Sequence, residues 1–162
     1  MKAKMKKLIS IKSIPILALA LLIVLGSALA ESEGDSVTGS GSVTATPEGT
    51  FVGNATLSIE GEKFEGLVTV TPLAPPEPQD GGLYFPVVEH VFDFGDDNTL
   101  TTIGAEFAKP TDQPGLSILD GDMNITNGTG DFDDASGEMS AHGQIHLVEG
   151  WASFKVNGRI SR

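Results

Sequence analysis

His142 and His146 stand four residues apart, with His90 far upstream. On a helix that spacing would turn two imidazoles toward one metal ion. Here the surrounding residues alternate with period two. In a strand the two rings share the polar face but lie about 13 Å apart at the usual rise. They cannot share an ion without a bulge. A second cluster, Asp131, Asp133, Asp134 and Glu138, suggests calcium. The EF-hand pattern wants an oxygen ligand where Ala135 stands and a glycine one position before Gly137. Asp120 and Asp122 could add ligands only if their strand face met that loop. The cluster is therefore expected to be a solvated acidic rim, and no metal site is expected. No serine sits in a nucleophile elbow. No glycine-rich phosphate loop opens a helix. The absence of cysteine removes thiol chemistry. No cofactor is implied. Asn54-Ala-Thr, Asn124-Ile-Thr and Asn127-Gly-Thr match the glycosylation sequon. They carry little meaning in a chain whose leader looks bacterial.

His90 is the histidine with the most chemical interest. By parity it shares a strand face with Val88, Phe92 and Phe94, while Glu89, Val91 and Asp93 take the other. An imidazole on an apolar face can bind or protonate a ligand inside a barrel. The plainer alternative is a partly exposed, hydrogen-bonded histidine near the strand entrance. His90, Phe92 and Phe94 are the candidate ligand-binding residues, with a small apolar molecule as the expected partner.

Alternating strands must position these residues. Val37, Gly39, Gly41, Val43 and Ala45 alternate with hydroxyl residues. After the turn at Pro47–Gly49, Phe51, Gly53, Ala55, Leu57 and Ile59 repeat the pattern. A tight turn at Gly61-Glu62 leads to Phe64, Gly66, Val68 and Val70. Pro72–Gly82 holds four prolines and is expected to be a loop. Further strands are expected at 83–94, 99–108, 116–126 and 136–148, and a last one carries Ala152, Phe154, Val156, Gly158 and Ile160. Met139, Ala141, Gly143, Ile145 and Leu147 should share one face. The count is eight strands with no convincing helix. Eight strands close a barrel that is either filled by side chains or holds one small ligand. A two-sheet sandwich is the alternative. Glycines recur on the inner face at Gly39, Gly41, Gly53, Gly66, Gly143 and Gly158. They suit sharp bends or close packing, and they are expected to leave space that larger residues would have filled.

Ile125-Thr126-Asn127-Gly128-Thr129-Gly130-Asp131-Phe132-Asp133-Asp134-Ala135-Ser136-Gly137 resembles the I-x-G-G-T-G-x-F-x-x-A-x-G stretch of barrels related to allene oxide cyclase and the dirigent proteins. His90-Val91-Phe92-Asp93-Phe94-Gly95-Asp96 and Thr99-Leu100-Thr101-Thr102 resemble the matching hairpin of bacterial secreted members. The resemblance spans about 87–160 and implies an eight-stranded antiparallel barrel. Asn127 stands where glycine is common, and asparagine is the next best residue for a left-handed backbone. Asp131 stands where arginine or a similar residue is common. Physically, Gly128 and Gly130 permit positive φ, Phe132 plugs the barrel end, and Ala135 and Gly137 let the chain re-enter the sheet closely. These roles are structural. The plant enzymes cyclise an epoxide or steer radical coupling, and their active residues do not map onto this chain.

The first thirty residues set the compartment. Lys2, Lys4, Lys6, Lys7 and Lys12 precede an apolar run from Ile14 to Leu25, and Ala28-Leu29-Ala30 follows. A basic head, a short apolar stretch and an A-x-A site make a secretory signal peptide. The run falls short of the roughly 20 residues a bilayer span needs. Cleavage after Ala30 is expected, leaving no stable membrane anchor, and without cysteine there is no lipoprotein attachment. Residues 31–35 form a polar leader and 36–162 the barrel domain. All 22 acidic residues lie beyond Ala30 with five of the ten basic ones, so the mature chain carries a net charge of −17. Nucleic acid and anionic membrane surfaces are poor partners for such a chain.

The leading expectation is a secreted or periplasmic barrel module, more a binder than an enzyme, that holds a small apolar molecule or serves simply as a stable exported module. The alternatives are an isomerase or cyclase using the barrel cavity, and a self-associating surface protein. A catalyst should bring several titratable groups together inside. The derived inner faces offer little besides His90.

Overall fold

The computed structural model describes residues 34–162. The expected signal peptide and its cleavage site lie outside the described residues. Nine strands follow in order: β1 (Asp35–Ala45), β2 (Phe51–Ile59), β3 (Glu62–Pro72), β4 (Glu77–Gln79), β5 (Gly82–Asp93), β6 (Thr99–Pro110), β7 (Leu116–Thr129), β8 (Ser136–His146) and β9 (Trp151–Ser161). A 3-10 turn, Gly130–Phe132, separates β7 from β8.

Eight of the strands close an antiparallel barrel in the order β3-β2-β1-β9-β8-β7-β6-β5. The closing ladder pairs Leu67–Pro72 of β3 with Val88–Asp93 of β5. An open sandwich has no such ladder, so that alternative is excluded. β4 lies outside the ring and pairs only with the start of β5. It corrects the expectation of a plain loop at 72–82. Pro78 is tolerated there because β4 is an edge strand.

Inward residues follow the expected parity on β1, β2, β3, β5 and β9. Val37, Val43, Leu57, Ile59, Phe64, Val68, Val88, Phe92, Phe154, Val156 and Ile160 are all buried. Two irregularities adjust the rest. A register shift between Phe85 and Val88 lets both face inward across Pro86 and Val87. A second shift opposite Thr101 and Thr102 leaves Thr126 as the extra residue on β7. β8 ends at His146, two residues short of expectation, and Leu147 is exposed rather than inward.

The inward glycines leave no free space, contrary to expectation. A Cβ on Gly53 would lie 1.8 Å from the Ser42 carbonyl oxygen, and one on Gly143 would lie 2.0 Å from that of Ser153. The equivalent distances at Gly66 and Gly158 are 2.1 Å. At these points the strongly coiled sheet brings a neighbouring backbone into the side-chain position, so glycine permits the close approach.

Candidate functional site

The two ends of the barrel differ. One end is sealed by Phe132, which the 3-10 turn drives into the core, where it is fully buried. Its ring meets Phe64 edge-on at 4.9 Å and Phe94 at 5.4 Å. Arg162 lies over Phe64 at 5.3 Å and pairs with Glu62 at 2.8 Å. The Asn98 carboxamide oxygen accepts from the Asp131 N–H at 2.7 Å, and the Thr129 hydroxyl donates to the Asp97 carbonyl. The motif loop is thus docked onto the β5–β6 turn. Gly130 has φ +62° and Gly137 has φ +145°, so both use glycine's conformational freedom. Gly128 and Asn127 are not left-handed, which corrects the reading of both. Gly128 is needed for space, because its Cβ would lie 2.1 Å from the Phe132 carbonyl oxygen. Ala135 is buried behind the plug.

The other end is formed by the β1–β2, β3–β4, β6–β7 and β8–β9 connections. It holds a narrow cleft lined by apolar side chains, among them Val43, Phe51, Val70, Val88, Ile145 and Ala152, together with His90 and Glu106. The space open to the centres of water-sized spheres is about 30 Å³. One water needs about 10–15 Å³ by that measure, so the inner cleft admits about two. Out to and including its open mouth the space is about 430 Å³.

His90 and Glu106 are the polar pair in this wall. His90 is 4% exposed and Glu106 9%, so of the plainer alternative the hydrogen bond is present and the partial exposure is not. Imidazole Nε2 lies 3.0 Å from the Glu106 carboxyl oxygen. Their neighbours explain the contact. The inward position of β6 between Thr102 and Glu106 is Gly104, so no side chain intervenes on that strand. Gly121 faces Glu106 across the β6–β7 ladder, and a Cβ there would stand 2.8 Å from Glu106 Cγ. Gly121 therefore makes room for the carboxylate arm. The second imidazole nitrogen, Nδ1, is buried without a hydrogen-bond partner, the only such side-chain atom found among the described residues.

A carboxylate only accepts hydrogen bonds. Where Glu106 is ionised Nε2 carries the shared hydrogen; Nδ1 then accepts on a neutral ring and donates on a charged one, and a hydroxyl can meet either. A buried polar atom left unpaired costs about 1–3 kcal/mol. A water or a ligand donor at Nδ1 would offset that cost.

His90, Phe92 and Phe94 do form one inward series, with successive ring centroids 6.5 Å and 6.3 Å apart. Only His90 lines the cleft; Phe92 and Phe94 run from it toward the plug. His142 is on the outer surface, 2.5 Å from Asp120. His146 stacks on Trp151 at the cleft end. Among the described residues no three His, Asp or Glu side chains are grouped to hold a metal ion. Sequence reasoning missed Glu106. The signal available was parity from Leu100 through Thr102 and Gly104. No family model, curated protein or solved structure matches the chain.

Proposed function

We propose that this chain is an exported barrel that binds a slender, mostly apolar molecule carrying one hydroxyl-type donor. The molecule enters the cleft end, and its donor meets Nδ1 of His90. The observation that carries this reading is the unpartnered Nδ1 of His90, a residue that lines a cleft whose other walls, Glu106 aside, are apolar. The narrow inner space limits the inserted part to a thin chain or a ring edge, while the rest extends past Phe51 and Pro72. The basic head, apolar run and Ala28-Leu29-Ala30 support export to the periplasm or the medium. The charge of the mature chain argues against a nucleic-acid partner. The Ile125–Gly137 stretch and the closed eight-stranded barrel support kinship with the secreted allene oxide cyclase-like and dirigent-like barrels.

An isomerase or cyclase reading gains one feature, the His90–Glu106 pair, which could relay a proton. A single pair falls short of the convergent groups a catalyst needs, so binding leads. Self-association at the surface has no specific observation behind it.

Displacement of 1-aminoanthracene tests the reading. 1-Octanol should displace the probe from the wild type more strongly than n-octane, by roughly fivefold to tenfold for one net hydrogen bond. His90→Leu should erase that difference. Ala152→Leu should block both by filling the cleft. Equal displacement by the two compounds, or a wild type that binds no probe, would contradict the proposal.

A further inference from the structure

The large apolar side chains left exposed are distributed unevenly over the barrel. Among the described residues, Leu73 (53% exposed), Leu147 (44%) and Val148 (83%) stand at the cleft end, while Val52 and Leu67 lie on the outer wall. None stands at the plugged end. The three tips stand on two of the connections at that end, Leu73 after β3 and Leu147 with Val148 after β8. Leu73 directly follows Pro72, which lines the cleft, and its N–H bonds the Val87 carbonyl. Leu147 and Val148 form the turn between Ile145 and Ala152, both of which line the cleft. That turn is tied to its neighbours by the bonds from Leu147 N–H to the Gly115 carbonyl and from Ala45 N–H to the Gly150 carbonyl. Trp151 sits beside it, half-buried, with its indole N–H bonded to Glu149 at 2.8 Å.

The charges around the tips select among surfaces. Glu48 on the β1–β2 connection, Glu77 on β4, Asp80 in the turn after it, Asp112 on the β6–β7 connection and Glu149 beside Val148 are all exposed, with Lys109 as the exposed basic residue near the end of β6. A second copy would set these carboxylates against their own kind. The core of a protein interface is depleted of charge, whereas here Glu149 directly follows Val148 in one turn. A zwitterionic lipid surface fits both features. Its ammonium groups lie outermost and complement the carboxylates, and separate apolar tips can sink between headgroups toward the acyl boundary. An anionic lipid surface would repel the same carboxylates.

We propose that the cleft end, through Leu73, Leu147 and Val148, docks on zwitterionic lipid surfaces. The docking does not depend on what fills the cleft.

Trp151 is the only tryptophan in the chain and serves as the reporter. Protein purified from the periplasm or medium of an expressing host would be titrated with vesicles of brominated phosphatidylcholine. Trp151 fluorescence should be quenched, and more weakly by vesicles of brominated phosphatidylglycerol. Val148→Asp should raise the lipid concentration for half-quenching roughly tenfold or more, the loss expected from one buried valine side chain. Leu67→Asp, an exposed change on the barrel wall, should leave it unchanged. Val148→Asp should also leave the response to soluble 1-octanol intact, which separates this proposal from the binding site. Absent quenching, a Val148→Asp protein that quenches like the wild type, or equal loss in Leu67→Asp would overturn the docking.

Discussion

Phe132 and His90 show how differently two inward side chains can be used. Phe132 has ring partners on two sides and a cation above it. Truncation removes the plug and leaves a cavity that Phe64 and Phe94 cannot fill. Phe132→Ala should cost about 3–5 kcal/mol, seen as a clear fall in the thermal midpoint. An unchanged midpoint would mean that the plug contributes nothing. His90 has one nitrogen engaged with Glu106 and one idle, and the idle one costs about 1–3 kcal/mol. Alternation from Val88 through Phe92 made the inward place of His90 legible in the sequence. Its partner was not legible. On β6 the outward residues Ile103, Ala105 and Phe107 are more apolar than the inward Thr102, Gly104 and Glu106. Hydropathy therefore points the wrong way on that strand. Only the closed register of β5, β6 and β7 places the carboxylate under the imidazole.

At the scale of the strand, the glycines mark where the coiled sheet crowds its own backbone. The sequence showed where they fall but not whether they left a hollow or a contact. That depends on how far neighbouring strands are sheared, which alternation alone does not encode. Gly53→Ala provides the test. The new methyl would clash with the Ser42 carbonyl, and local overpacking should cost about 1–3 kcal/mol. Urea unfolding would measure it, and a neutral or stabilising result would restore the hollow reading. β4 escaped notice for a related reason. Its proline-rich sequence argues against a central strand, yet one edge pairing needs few backbone donors.

For the whole molecule, strand count and alternation sufficed for a barrel, and the β3–β5 ladder decided between barrel and sandwich. Asymmetry between the two ends was not legible, because it arises where four separate connections meet. Export is a claim about the chain before it folds. N-terminal sequencing of protein from the periplasm or medium should begin at Glu31; an intact Met1 there would overturn cleavage after Ala30, and protein confined to the cytoplasm would overturn the export proposal. The account as a whole rests on a ligand donor reaching His90. Long-range proton–nitrogen NMR of the imidazoles during titration with 1-octanol tests this most directly. The Nδ1 resonance of His90 should move saturably while Nε2 keeps its bond to Glu106 and the outer His142 stays in place. A His90 ring unmoved at octanol saturation would contradict the account and leave the barrel a packed structural module.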